Sequence, residues 1–305
     1  KEMSLQIMDS LKSNYNFANK LILGTAQMGL DYGINNHKGK ISQKESLSIL
    51  KVAYNSGIRI LDTAEAYGDA HQLIGNYHKQ QNNFKFKIIT KFPHHIKHNL
   101  LKSKVIEYQD LMNVKTLDVI MFHSFDSFKS NYNALKTLNK LRSDGLINNI
   151  GVSVYKNTQL ESLLNEDLIT VVQLPFNLLD NINVRGDLIN QLKIKKKVIH
   201  TRSAFLQGLF FKKSSDNISI VQALKPQLKT INKITEKESC SMEELALSYC
   251  IKQKNIDNII IGVDSISQLN AKIKASTYEV SEEALKSINN IDVENLDLLN
   301  PSLWS

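Results

Sequence analysis

Cysteine is nearly absent: Cys240 and Cys250 are the only two among 305 residues, and they fall in one helical stretch. With no CxxC spacing and no nearby histidine, neither a zinc site nor a disulfide framework is expected. The four prolines (Pro93, Pro175, Pro226, Pro301) are scattered, and no Pro/Gly/Ser-rich linker interrupts the chain. One domain over residues 1–305 is therefore expected, with 1–20 as an N-terminal extension and 292–305 as a loop-like tail. No run approaches the roughly 18 apolar residues of a membrane span, and the first residues lack the apolar core of a secretory signal. No membrane partner is expected, and a reducing cytoplasm is the expected location. No GxGxxG follows any early strand-like run, which argues against a doubly wound sheet holding a dinucleotide at a helix N-terminus.

Acidic residues are also in deficit, giving a net charge of +8. The excess lysines are spread along the chain. Their one dense cluster, Lys193 to Lys197, lies between a helical pattern and the next strand, where a solvated helix end is expected. It lacks the interleaved aromatics that stack bases, so no nucleic-acid partner is expected. A positive field does favour small anionic ligands.

What the chain has is alternation. Eight short runs rich in β-branched and apolar residues, Leu21–Gly24, Ile58–Thr63, Lys87–Lys91, Leu117–His123, Ile150–Val154, Val171–Pro175, Val198–Ser203 and Ile259–Gly262, are separated by helical patterns. Runs this apolar fit parallel strands covered on both faces. Ser42-x-x-Glu45 opens a helix ending at Gly57, Ser241-x-x-Glu244 opens another, and Asn131–Leu141 reads as a third that stops near Gly145. Eight such repeats close into a (β/α)8 TIM barrel, an α/β fold, with extra C-terminal helices over Ser219–Ser239 and Ser281–Ile291.

Polar residues close these runs, where parallel barrels place their chemistry. Asp62 ends the second and Tyr67 follows five residues later. Lys91 ends the third, His123 the fourth, and Gly151-Val152-Ser153 and Arg202-Ser203 come at the fifth and seventh. The order Asp62, Tyr67, Lys91, His123 at these strand ends resembles the tetrad of the aldo-keto reductase family, over roughly Leu21 to Ile291. A phenol is a sluggish proton donor near its free pKa of about 10. A neighbouring ammonium favours the phenolate, and Lys91 is the candidate neighbour. Asp62 is the candidate partner that keeps a buried Lys91 charged, and His123 the candidate donor that orients the carbonyl oxygen. Each residue also has a plainer reading: Asp62 as a helix cap, Tyr67 as a rim residue, Lys91 as a surface lysine, His123 as a core histidine.

The resemblance implies a reduced nicotinamide cofactor lying extended across the barrel mouth, NADPH by family habit and NADH as a possibility. It assigns Gly24, Thr25 and Ala26 to the nicotinamide ribose region, Asp62 to the same end, and Ser153 and Gln173 to the carboxamide. Arg202 stands where many members have an aromatic residue stacked on the nicotinamide; a guanidinium also stacks. Ser203, Phe205, Gln207 and Gly208 match the diphosphate loop, and Gly262, Val263, Asp264, Ser265, Gln268 and Lys272 the adenosine segment. Two departures stand out. Val154 replaces a frequent Asn, and the frequent Lys-Ser pair and Arg at the adenosine end are missing, so a loose cofactor preference is expected.

The stretch 24–36 is similar to a bacterial branch associated with sugars and surface polysaccharides. Gln27, Met28, Tyr32, Phe92, His94 and Phe125, with Tyr67 and His123, are the expected substrate contacts. With Trp304 the only tryptophan, a polar, sugar-like carbonyl is expected rather than a greasy aldehyde. Trp304 itself reads equally as a lid or as a loose end. The expected enzyme is a monomeric or weakly oligomeric NAD(P)H-dependent oxidoreductase without metal. A regulatory or binding module with this fold and little turnover is the alternative, and a metal-dependent hydrolase or isomerase using Asp62, Glu65 and His123 as ligands is the remote one.

Overall fold

Eight parallel strands close on themselves in sequence order, β1 pairing with both β2 and β8. The computed structural model describes residues 18–31, 39–81, 83–213 and 215–304. The strands are β1 (Leu21–Gly24), β2 (Ile60–Asp62), β3 (Lys87–Lys91), β4 (Leu117–Phe122), β5 (Ile147–Ser153), β6 (Val171–Pro175), β7 (Val198–Arg202) and β8 (Asn258–Ile261). At least one helix follows each strand, so the chain folds as the (β/α)8 barrel expected.

Side chains alternate across each strand, and this splits the apolar residues in two. Ile22, Ile89, Val119, Met121 and Val171 point inward and plug the barrel. The larger cluster fills the layer between barrel and helices, from Leu21 and Leu23 through Ile88 and Ile120 to Ile261. The plug closes the lower barrel, leaving the C-terminal strand ends as the place for a ligand.

Local signals explain most helix boundaries. Ser42 accepts from Glu45 N to open Gln43–Asn55, and Ser241 with Glu244 forms a reciprocal box opening Met242–Lys252. The helix expected over Asn131–Leu141 is Ala134–Ser143, and a break at Asn131 divides it from a preceding helix, Phe125–Ser130, which Asn131 caps. Buried Asn131 donates to Ser127 O and His94 O, which fixes the break. Ser219–Ser239 likewise divides at Leu224, into Ser219–Ala223 and Lys225–Glu238, with Pro226 in the first turn of the second. Glu282–Asn289 is the last helix. The tail expected as loop contains two 3-10 turns, Leu296–Leu299 and Pro301–Leu303, and Trp304 Nε1 donates to Leu298 O at 2.9 Å.

Candidate active site

The C-terminal strand ends gather Asp62, Tyr67, Lys91 and His123 at one side of the barrel mouth. Lys91 Nζ lies 2.5 Å from Asp62 Oδ1 and donates to Thr63 O at 3.0 Å. Asp62 Oδ2 accepts from Gln173 Nε2 at 2.8 Å. The ammonium is 5.3 Å from the centroid of the Tyr67 ring, and the Tyr67 and His123 rings meet edge to face at 5.8 Å. Burial works to discharge Lys91, but the Asp62 carboxylate and then Tyr67 more than offset it, so its pKa lies above the usual lysine value. His123 is driven down to about 4, by burial first and then by the Lys91 charge, so near neutral pH its ring is uncharged and offers one N–H.

The seat of Tyr67 is made by main chain. Tyr67 N donates to Ala64 O and Ala70 N to Tyr67 O, closing a tight turn between β2 and the helix Ala70–Gln80. That turn rests on the short helix Ala26–Gly29: a Cβ on Gly29 would fall 1.7 Å from Tyr67 O, and one on Gly68 2.4 Å from Gly29 O. Gly68 also has φ +55°, a conformation a side chain disfavours. Behind the turn, Glu65 accepts from Tyr108 OH and from Lys104 Nζ. Glu65 is thus committed away from Asp62 and His123, and among the described residues no three His, Cys, Asp or Glu side chains gather as a metal site.

A cavity of about 450 Å³ runs from Asp62 and Tyr67 to Gln268 and Lys272, a size that suits a small organic ligand or part of a cofactor. Gly24, Thr25, Ala26 and Gln27 line one wall, and Gln173, Arg202, Ser203, Phe205, Gln207 and Gly208 another. The second wall is unusual backbone. Ser203, Leu206, Gln207 and Gly208 all have φ between +45° and +91°, and within this turn Leu206 N donates to Ser203 O and Gly208 N to Phe205 O, both at 2.8 Å. Gly262 is fitted to Gln27, since a Cβ there would fall 2.4 Å from Gln27 Nε2.

The expected residues do not all reach this cavity. Ser153 is buried in register with Gln173. Val263 belongs to the core, and Ser265 caps the helix Ile266–Ala275. Gln268 exchanges hydrogen bonds with Asp264, while Lys272 donates to Gly262 O and lies 4.9 Å from the Phe205 ring centroid. Burial holds Lys272 down at about 8. Of the expected substrate contacts, Met28 and Phe92 are fully buried core residues, Phe92 packing against Tyr108. Each directly follows a site residue, Gln27 or Lys91, and turns the other way. His94 is exposed against His95, with Ser124 Oγ 3.5 Å away, and half-buried Phe125 packs on Phe128. Tyr32 lies outside the described residues.

The sequence reading passed over Tyr155, which lines the cavity with its ring 4.0 Å from the Arg202 guanidinium. Tyr155 lies in the loop after β5, which ends at Ser153, so strand alternation does not place it.

The family model for the aldo/keto reductase family matches residues 20–293. The chain belongs to the aldo/keto reductase family. A probable aldo-keto reductase of Glycine max is 24% identical over 301 residues, covering 87% of this chain and 84% of that one. An aldo-keto reductase of Bacillus subtilis is 22% identical over 282 residues, covering 83% and 85%. Among solved structures, a holo-form aldo-keto reductase from Bacillus halodurans superposes with a TM-score of 0.71 at 16% identity, covering 91% of this chain and 94% of that one. A glycerol dehydrogenase from Gluconobacter oxydans gives 0.70 at 17%, covering 89% and 90%. These two structures establish the barrel likeness, and the family model establishes membership. This aldo-keto reductase is an oxidoreductase by family, and no helix among its described residues is long and apolar enough to cross a membrane.

Proposed function

We propose that this protein reduces the carbonyl of a polar, sugar-like aldehyde or ketone with NAD(P)H, Tyr67 acting as the proton donor. The observation that carries the reading is the Asp62–Lys91 pair set beside the Tyr67 ring at the cavity that Asp62 and Tyr67 line. The cavity lining supports a dinucleotide in kind: Asp62, Tyr67 and Gln173 are among its polar groups, with Ser203, Gln207, Asp264, Gln268 and Lys272. A bound nicotinamide supplies hydride to the carbonyl carbon. The carbonyl oxygen of Gln173, whose Nε2 is spent on Asp62, is the cavity group available to its carboxamide. Ser203, Gln207 and Gly208 stand by the diphosphate, and Asp264, Gln268 and Lys272 by the adenosine.

Tyr67 gives its phenolic proton to the carbonyl oxygen as that oxygen gains charge, and the product is an alcohol. The same coupling that lifts the Lys91 pKa favours, seen from the other side, the phenolate left behind. His123, neutral, donates its N–H to the carbonyl oxygen and aligns it with the phenol. We place this activity in the cytoplasm, where reduced nicotinamide is in supply.

Following nicotinamide absorbance with nitrobenzaldehydes, keto-sugars and aldoses tests the reading. The expected result is turnover with at least one carbonyl and no metal requirement. Cofactor binding with no turnover on any carbonyl would favour the binding-module alternative.

A further inference from the structure

The turn that carries Tyr67 is also held from behind, on the side away from the cavity. Glu65 lies three residues after Asp62 and two before Tyr67, and its main-chain N–H donates to Lys91 O at 3.2 Å. Its side chain reaches the helix Leu101–Met112, where Oε1 accepts from Lys104 Nζ at 2.9 Å and Oε2 from the hydroxyl of fully buried Tyr108. Burial works against the Glu65 charge, but the bonds from Tyr108 and Lys104 more than offset it, so its pKa lies below the usual carboxylate value. Burial first, and then that carboxylate, raise the Tyr108 pKa, so the phenol stays a donor.

The helix that follows the turn closes the ring. Ala70–Gln80 packs on Leu101–Met112 main chain to main chain, since a Cβ on Gly75 would fall 1.8 Å from Leu111 O. His71 of this helix meets the Tyr108 ring edge to face at 5.0 Å, and its Nε2 lies 2.8 Å from Oγ1 of Thr90, the neighbour of Lys91 on β3. Tyr108 therefore touches the chain on both sides of Tyr67, at Glu65 before it and at His71 after it. The charged and titratable groups about the Tyr67 phenol are Lys91, Asp62, His123 and, on the cavity wall, Arg202. Glu65 is not among the main charges acting on Lys91 or His123, so its hold on the site is one of position. A reacting group is useful only if held within about 0.5 Å of its working place, and supporting hydrogen bonds are what hold it.

We propose that Glu65 is a positioning residue of the reaction: gripped by Tyr108 and Lys104, it holds the Tyr67 turn against the helix Leu101–Met112 and keeps the phenol beside the Lys91 ammonium. This role rests on the reductase reading above and deepens it, naming the support of the proton donor. The position requires an acceptor rather than a charge. Lys104 has Glu107 as a second partner at 3.2 Å, whereas a buried Tyr108 hydroxyl left without an acceptor is costly. Glu65→Gln keeps the grip through its amide oxygen, and Glu65→Ala removes it.

Two readouts separate positioning from support of the fold alone. The first follows phenolate absorbance with pH, each protein read against the same protein carrying Tyr67→Phe, so that Tyr67 alone contributes and no turnover is needed. The Tyr67 midpoint should rise by about one unit or more in Glu65→Ala, as the phenol moves off the ammonium, and return in Glu65→Gln. The second is steady-state reduction of a nitrobenzaldehyde. In Glu65→Ala kcat should fall about tenfold to a hundredfold with KM within about twofold of the wild type, the pattern of a misplaced reacting group. Tyr108→Phe should move both readouts the same way by less. A Tyr67 midpoint that stays in place in Glu65→Ala overturns the proposal, whatever happens to stability. So does a Glu65→Gln protein as impaired as Glu65→Ala, which assigns the effect to charge. Where Glu65→Ala does not fold, Tyr108→Phe decides, and wild-type behaviour in both readouts overturns the proposal. A midpoint that shifts in a protein reducing no carbonyl supports the positioning of the phenol and counts against the reductase reading instead.

Discussion

Gln173 Nε2 donates to Asp62 Oδ2 at 2.8 Å, from a strand 111 residues further along the chain. With Lys91 on Oδ1, both oxygens of this carboxylate are engaged. Asp62 is thereby cast as an anchor for the ammonium, and proton delivery is left to the phenol beside it.

Tyr67→Phe removes the hydroxyl and leaves the ring contact with His123. We expect kcat to fall by roughly 10²-fold or more, the range of a positioned acid, with cofactor Kd little changed. Stopped-flow turnover together with cofactor titration checks this. A variant that kept most of its turnover would remove Tyr67 from the role of acid.

Lys91→Met keeps the side-chain length and deletes the charge. Turnover should drop by orders of magnitude, and the residual oxidation of alcohols should need higher pH because the phenolate forms less readily. Stability should also fall by about 3–5 kcal/mol, since Asp62 is left buried without its cation. Part of that should return in Lys91→Met with Asp62→Asn. Because the folded-state Lys91 pKa is raised, the pair's contribution is complete below the unfolded lysine value of about 10.4 and is lost as pH rises through the folded one. Denaturant unfolding of the wild type and both variants near pH 7 and above pH 10 reads these effects.

Cofactor preference is expected to be modest. Gln268 is occupied by Asp264, so Lys272 is the cation nearest the adenosine end, and its pKa is about 8. NADPH should lose its advantage over NADH as pH rises from about 7 to 9 and Lys272 discharges. In Lys272→Met the ratio of the two dissociation constants should be smaller and flat with pH. Fluorescence titrations of both cofactors across that range decide it.

Acid should destabilise the fold before its carboxylates titrate. His71, His123 and His200 are each held down to about 4, mainly by burial, against about 6.5 in the unfolded chain. Between those values the unfolded state binds more protons, so stability is complete above about pH 6.5 and falls as pH drops toward 4. For fully buried His200 the loss is on the order of 3 kcal/mol. Urea unfolding at pH 7 and pH 5 should show the drop, and His200→Gln should flatten it.

The strands were readable because parallel strands carry long apolar runs, and the run ending at Lys91 is bounded to the residue. Lys91 and Asp62 stood out only because they close successive runs in order with Tyr67 and His123; singly, each has a plainer reading. The pocket wall was less readable. Phe92 was expected among the pocket-loop residues but packs into the helix layer beside Tyr108, and Tyr155 lies in the loop beyond β5, where no strand period applies. Helix breaks at Asn131 and Leu224 depend on tertiary partners, such as the His94 carbonyl that Asn131 reaches, and no local pattern announces those. The left-handed run Leu206 to Gly208 was opaque for a related reason, since two of its three residues are not glycine.

The contact between Gly29 and the Tyr67–Gly68 turn is peptide against peptide, with no side chain in it. The main-chain seat of Tyr67 is therefore set by close backbone approach, which any side chain at Gly29 or Gly68 would disturb. Cavity walls such as Tyr155 and Gln27 are free to diversify under selection for a different carbonyl while this seam stays constant. The molecule keeps the choice of what is reduced and the placement of the proton on separate stretches of chain, and only the first can drift without silencing the second.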